Sequence, residues 1–242
     1  MGRVLASPAP GPGIISSPWG DLRLRLISGL VLAPLALAAI WFGGFAFAVM
    51  VLIAAIGVAI EWSLLCRARP GWVVAASGGV GWIALAVFGA LWLRADPAAG
   101  RANIAFLVVG VWGSDIGAYL AGRAIGGRKL APAISPGKTW AGAAGGLVGA
   151  AAFGTVIVVA HGLGPGAAEL GRAALLAVLV SVLGQVGDLA ESWAKRHFGV
   201  KDSSHLIPGH GGLLDRLDAA LAVLPPAALL AYWLGPGVVL WR

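Results

Sequence analysis

Long apolar runs divided by short polar breaks dominate this chain. A membrane-crossing helix needs about 20 mostly apolar residues, because it rises about 1.5 Å per residue across a hydrocarbon core of about 30 Å. Runs of this kind predict spans at 24–42, 45–65, 72–93, 103–122, 141–161, 172–190 and 218–234. The break after Trp41 is only a few residues long, so the second and third spans have the least distinct ends. The expected fold is all-α: a polytopic integral membrane helical bundle of about seven transmembrane helices, within a range of about six to eight. Glycines at helical spacing in "GAAGGLVGA", residues 142–150, predict close helix–helix contact.

The polar positions divide the chain further. Residues 1–20 are rich in Pro, Gly and Ser and lack the apolar centre of a signal peptide, which predicts a flexible or surface-lying segment. N-terminal transmembrane helices follow over 21–102. The region 103–242 carries the notable polar motifs, with loops at 123–140 and 195–217. Placing the N-terminus in the cytoplasm puts thirteen of the 17 Lys and Arg residues on that side; only Arg94, Arg101, Arg172 and Arg242 fall opposite. That split follows the positive-inside rule and gathers the polar loops on one face.

Composition excludes an ordinary soluble domain. The chain is 59% apolar and 11% charged, against about 25% charged in soluble proteins. Its net charge of +7 is explained by cytoplasmic loops, and no nucleic-acid partner is expected. The single cysteine, Cys66, can form no internal disulfide and no zinc site.

Charges inside spans are costly and usually functional. Asp115, in "VVGVWGSDIGAYLAG", has Tyr119 one turn later on the same face. An interhelical structural acid and a role in a site are both compatible with it. For Glu61, near the end of its span, pairing with Arg67 or Arg69 is sufficient explanation. In "VGDLAESWAKR", Asp188, Glu191, Ser192 and Lys195 line one helix face, as the wall of a cavity would. Asp215 and Asp218 in "LLDRLDAA" again share a face. With Asp188 they can offer hard oxygen ligands to Mg²⁺, although acids at a helix N-terminus are also favoured by the macrodipole.

"SPGKTWAG", residues 135–142, contains the GKT of a phosphate-binding P-loop. That motif needs a glycine where Pro132 stands, and no strand is expected before it, so a P-loop is rejected. Lys138 and Thr139 at a helix start can still bind phosphate. "PGHGG", residues 208–212, is a turn with exposed backbone donors; His205 and His210 lack zinc-site spacing.

Residues 192–218, "SWAKRHFGVKDSSHLIPGHGGLLDRLD", resemble the signature of the phosphatidate cytidylyltransferases, also called CDP-diacylglycerol synthases. The match includes Ser192, Lys195, Arg196, Lys201, Asp202, Pro208, His210, Gly211, Gly212, Asp215, Arg216 and Asp218. "SDIGAYLAGRAIGGRKLAPAISPGKTWAG" and "GDLAES" resemble two further motifs of that family, so the likeness runs from Ser114 to Asp218. One position departs: Ala141 stands where the family usually has glutamate.

The resemblance implies an enzyme that joins CTP and phosphatidate to make CDP-diacylglycerol and pyrophosphate. It implies Mg²⁺, as one ion or two, held by Asp188, Asp215 and Asp218, with Lys195 also catalytic. Lys138, Thr139, Arg196, Lys201, His210, Gly211, Gly212 and Arg216 would then bind substrate phosphates. Asp115, Tyr119, Glu191, Ser192 and Asp202 would support the site or its lipid pocket. The expected setting is a bacterial cytoplasmic (inner) membrane with the site facing the cytoplasm; a homodimer is compatible with this reading. Two alternatives remain at this point: a CTP-dependent enzyme acting on another lipid, and a transporter using its intramembrane acids. The latter lacks the paired broken helices that many transporters show.

Overall fold

Proline supplies no backbone N–H, which is no loss in the first turn of a helix. The first helix, α1, accordingly begins at Pro18 and runs to Phe42, somewhat before the predicted start at 24. The computed structural model describes residues 18–67, 69–162, 165–200, 203–204 and 211–242. Six more helices follow: α2 (Gly44–Cys66), α3 (Trp72–Ala95), α4 (Gly100–Ala124), α5 (Trp140–His161), α6 (Ala167–His197) and α7 (Leu214–Leu234). Each of these six is long and apolar enough to cross a membrane, and Gly29–Phe42 within α1 is a shorter apolar stretch. The protein is thus a polytopic membrane helical bundle, as the apolar runs predict.

One element was not expected. Lys129–Ala131 (β1) and Ser135–Thr139 (β2) pair as an antiparallel hairpin between α4 and α5, with Lys129 opposite Thr139 and Ala131 opposite Ser135. The expectation that no strand accompanies the GKT sequence is therefore corrected. Gly137, Lys138 and Thr139 lie in the strand itself, rather than in a loop following one, so the P-loop arrangement is still absent.

Lipid tails are as apolar as leucine, so close packing of small residues, rather than burial of oil, drives association of helices in a bilayer. Large side chains such as Phe45, Ile53, Val74 and Trp233 point outward, while Ala150, Ala173 and Ala177 are fully buried. The most extensive helix pair is α4 with α5. A Cβ on Gly117 would lie 2.2 Å from the Gly145 carbonyl oxygen, so the backbones touch as the 142–150 stretch predicts.

At the end of the bundle remote from the polar motifs, the last residues fold back into the helices. Trp241 is 1% exposed and packs on Phe106 at a ring separation of 5.1 Å. Buried Asn103 accepts the Leu240 N–H at 2.9 Å and donates to the Val238 carbonyl at 3.4 Å. Asp96, between α3 and α4, accepts N–H groups from Ala99, Gly237 and Ala98. Those bonds, the one from Ala99 foremost, hold its carboxyl below the usual carboxylate range. Replacing Asn103 by Ala leaves the Leu240 N–H without its partner and costs about 1–3 kcal/mol. The expected result is a lower apparent Tm in detergent with unchanged substrate KM values.

Candidate active site

Three separate segments converge at the opposite end of the bundle. Helix α6 runs past its predicted end at 190 to His197, so the polar stripe from Asp188 to Lys195 stays helical. Helix α7 begins at Leu214 and carries Asp215, Arg216 and Asp218 in its first turns. Glycine lets these helices approach: a Cβ on Gly187 would meet the Ala222 Cβ at 2.6 Å and the Asp218 carbonyl oxygen at 2.8 Å. Asp188 is thereby set beside Asp218. The hairpin supplies the third segment, and its Lys138 ammonium forms an ion pair with Asp188.

Carboxylate oxygens of Asp188, Glu191 and Asp218 lie within 4.8 Å of one another. Hard oxygen donors at this spacing suit a divalent cation such as Mg²⁺. The expected trio was Asp188, Asp215 and Asp218, and Asp215 takes another position. Its Oδ1 accepts from the Lys195 ammonium at 2.7 Å, and its Oδ2 accepts the Gly212 N–H at 3.1 Å. Lys195 also pairs with Glu191 at 2.9 Å, its side chain only 12% exposed. It bridges two acids on two helices.

A cavity of about 730 Å³ opens over this cluster. Asp115, Tyr119, Arg123, Lys138, Thr139, Asp188, Asp215, Arg216 and Asp218 all contribute to its wall. Both intramembrane candidates on α4 therefore face the site. Its floor is polar: the Ser114 and Ser181 hydroxyls lie 2.7 Å apart, and Gln185 donates to Ser181 at 3.0 Å and to the Ala143 carbonyl at 3.2 Å. Sequence reasoning passed over these three. Their signal was position: Ser181 and Gln185 stand seven and three residues before Asp188, on its face of α6, and Ser114 immediately precedes Asp115 on α4.

Other candidates have different surroundings. Buried Thr139 caps α5, its hydroxyl oxygen accepting the Gly142 N–H at 3.0 Å. Ser192 donates to Asp188 at 3.5 Å. Arg196 donates to the main-chain carbonyls of Ile134 and Val200, tying the hairpin to the end of α6. Gly211 adopts a φ of +83°, and Gly212 follows it into α7. Lys201, Asp202, His205, Pro208 and His210 lie outside the described residues. Ala141 lines a separate apolar groove between α4 and α5, beside Leu120 and Ile125. The departure from the family pattern therefore lies away from the acidic cluster.

Glu61 departs furthest from its sequence reading. Among the described residues it has no salt bridge to Arg67 or Arg69; the Arg67 guanidinium lies over the Trp72 ring, 5.4 Å from its centroid. Its carboxylate instead accepts the Leu213 and Leu214 N–H groups at 2.9 and 2.8 Å and the hydroxyls of Ser203 and Ser204.

Comparison with known proteins shows the family to which the chain belongs. Residues 73–234 fit the profile of the cytidylyltransferase family. The chain is similar to the phosphatidate cytidylyltransferase of Brucella suis, with 36% identity over 89% of this chain and 93% of that protein. It is also similar to proteins of that name from Pseudomonas aeruginosa, 47% identical over 62% of this chain and 54% of the relative, and Bacillus subtilis, 45% identical over 52% and 46%.

Proposed function

The chain belongs to the cytidylyltransferase family, and from that premise we propose that it joins CTP to phosphatidate, yielding CDP-diacylglycerol and pyrophosphate. The observation that carries this reading is the meeting of Asp188, Asp218 and Lys138, from three segments, at one cavity beside the membrane-spanning helices. In the reaction a phosphatidate phosphate oxygen attacks the α-phosphorus of CTP. The new O–P bond forms as the bond to the β-phosphate breaks, and pyrophosphate leaves with its electron pair. The attacking group is already an oxyanion, so no protein nucleophile is required.

Several negative charges must be brought together for this attack, and repulsion between them is the principal barrier the protein can lower. Asp188 and Asp218, with Glu191 completing the cluster, would hold Mg²⁺. When bound, that ion supplies positive charge to the triphosphate and to the departing pyrophosphate. Lys138 and Arg216, both on the cavity wall, would bind phosphate oxygens. Lys195 holds Asp215 and Glu191 in place, so it orders the acids rather than contacting substrate. The distribution of Lys and Arg supports a site facing the cytoplasm, and the bacterial relatives support a bacterial inner membrane as its setting. Asp115 and Tyr119 would flank the lipid, whose acyl chains stay in the bilayer.

The test is direct. Purified protein given labelled CTP, phosphatidate and Mg²⁺ is expected to form CDP-diacylglycerol and equimolar pyrophosphate, with chelation stopping turnover and Mg²⁺ restoring it. Release of CDP instead would identify a lipid kinase and overturn the reading.

A further inference from the structure

Glu61 lies near the end of α2, outside every motif discussed above, and is 3% exposed. A buried carboxylate without compensation is strongly unfavourable. Its compensation here is specific. Among the described residues, each oxygen accepts one main-chain N–H and one hydroxyl: Oε1 from Leu213 and Ser204, Oε2 from Leu214 and Ser203. These backbone donors belong to the start of α7, where N–H groups have no partner within the helix and the macrodipole is positive.

No side chain of α7 itself meets the Leu213 and Leu214 N–H groups among the described residues; its Asp215 reaches back only to the Gly212 N–H. Leu213 occupies the N-cap position and offers no side-chain acceptor. The acceptor comes instead from α2, some 150 residues earlier in the chain. Gly212 fits the same arrangement: a Cβ there would lie 1.8 Å from the Ser203 hydroxyl oxygen and 2.9 Å from Glu61 Oε2. Only a residue without a side chain lets the chain cross so close to the carboxylate. Immediately beyond the two held N–H groups come Asp215, Arg216 and Asp218, all on the cavity wall, whereas Glu61 is absent from it.

We propose that Glu61 is a positioning residue for nucleotidyl transfer, capping α7 from α2 and so fixing the acids and the arginine of its first turns. This rests on the reading of the cavity as the cytidylyltransferase site. Glu61→Gln preserves shape but sets an amide NH₂ against donors. A displacement of the acids it holds is expected to lower kcat about 10- to 100-fold, with KM for phosphatidate changed much less. Glu61→Asp, which keeps the charge, retains more activity than Glu61→Gln. Asn103→Ala, at the far end of the bundle, serves as the control for general destabilisation and keeps kcat near wild type.

Hydrogen exchange over residues 211–219 gives a readout that needs no turnover. Loss of the cap is expected to speed exchange there about fivefold or more, leaving α4 and α5 unchanged. Should Glu61→Gln fail to fold, Ser203→Ala with Ser204→Ala removes these two hydroxyl donors and is expected to show the same two effects at smaller size. Wild-type kcat and exchange in these variants overturn the proposal. Absence of turnover in the wild-type protein overturns the reaction instead, and the exchange measurement still decides whether Glu61 holds α7.

Discussion

Asp218→Asn is expected to reduce CDP-diacylglycerol formation by up to about a thousandfold while leaving the protein folded. The substitution is nearly isosteric and removes one negative charge from the cluster it forms with Asp188 and Glu191. Asp188 already shares its charge with Lys138, and Glu191 with Lys195. Asp218 makes no ion pair among the described residues; its Oδ1 accepts the Ala219 N–H at 2.7 Å. An acid placed beside two others without a lysine of its own is the one most suited to a bound cation. Removing a group that stabilises transition-state charge typically costs about 10²–10³ in kcat, and a metal ligand is expected to lie at the upper end of that range. The measurement is initial rate over a Mg²⁺ titration, with apparent Tm as the check on folding. Wild-type turnover at ordinary Mg²⁺ concentrations refutes the assignment of Asp218 to the metal.

Lys195→Met is expected to act mainly on the fold. Lys195 lies between Glu191 and Asp215, whose side chains are 6% and 15% exposed. Methionine nearly matches its length but strands both acids, and breaking a buried pair by removing one partner costs about 3–5 kcal/mol. The apparent Tm should fall steeply and activity should be lost with it. Combining Lys195→Met with Asp215→Asn removes one stranded charge, so much of the stability returns. Activity does not, because the α6–α7 contact that orders the acids is still broken. If the single variant keeps its Tm, the ammonium is not the bridge between the two helices.

The helices were legible because an apolar run of fixed length has few alternatives in a bilayer. Their ends were less so: α6 continues through Asp188 to His197, since charges facing a protein cavity do not terminate a helix. The hairpin was not legible. Its β1 has three residues, too few for an alternating pattern, and its β2 contains both proline and glycine. Pairing with the other strand, rather than local preference, makes it extended.

The site divides in the same way. Helix periodicity put Asp188 and Glu191 on one face, and Asp215 and Asp218 on another. Which of the four would meet depends on the rotation of α7 against α6, set by the Gly187–Ala222 approach and by Lys195. Spacing along one helix carries no information about that. Glu61 had a local explanation in Arg67 and Arg69, while its partners lie 142 to 153 positions away. Its signal was present nonetheless, as one of only ten acidic residues, set within a span.

The cavity wall formed by Trp112, Asp115 and Tyr119 on α4 also bears on kinetics. On the proposed entry of the lipid past these side chains, it reaches the acids from the bilayer rather than from water. Its encounter rate is then governed by two-dimensional diffusion and by its mole fraction among neighbouring lipids, not by its molarity in the vessel. The nucleotide arrives by three-dimensional diffusion. The two substrates therefore obey different concentration scales, and diluting the bilayer with inert lipid slows one half of the encounter while leaving the other untouched.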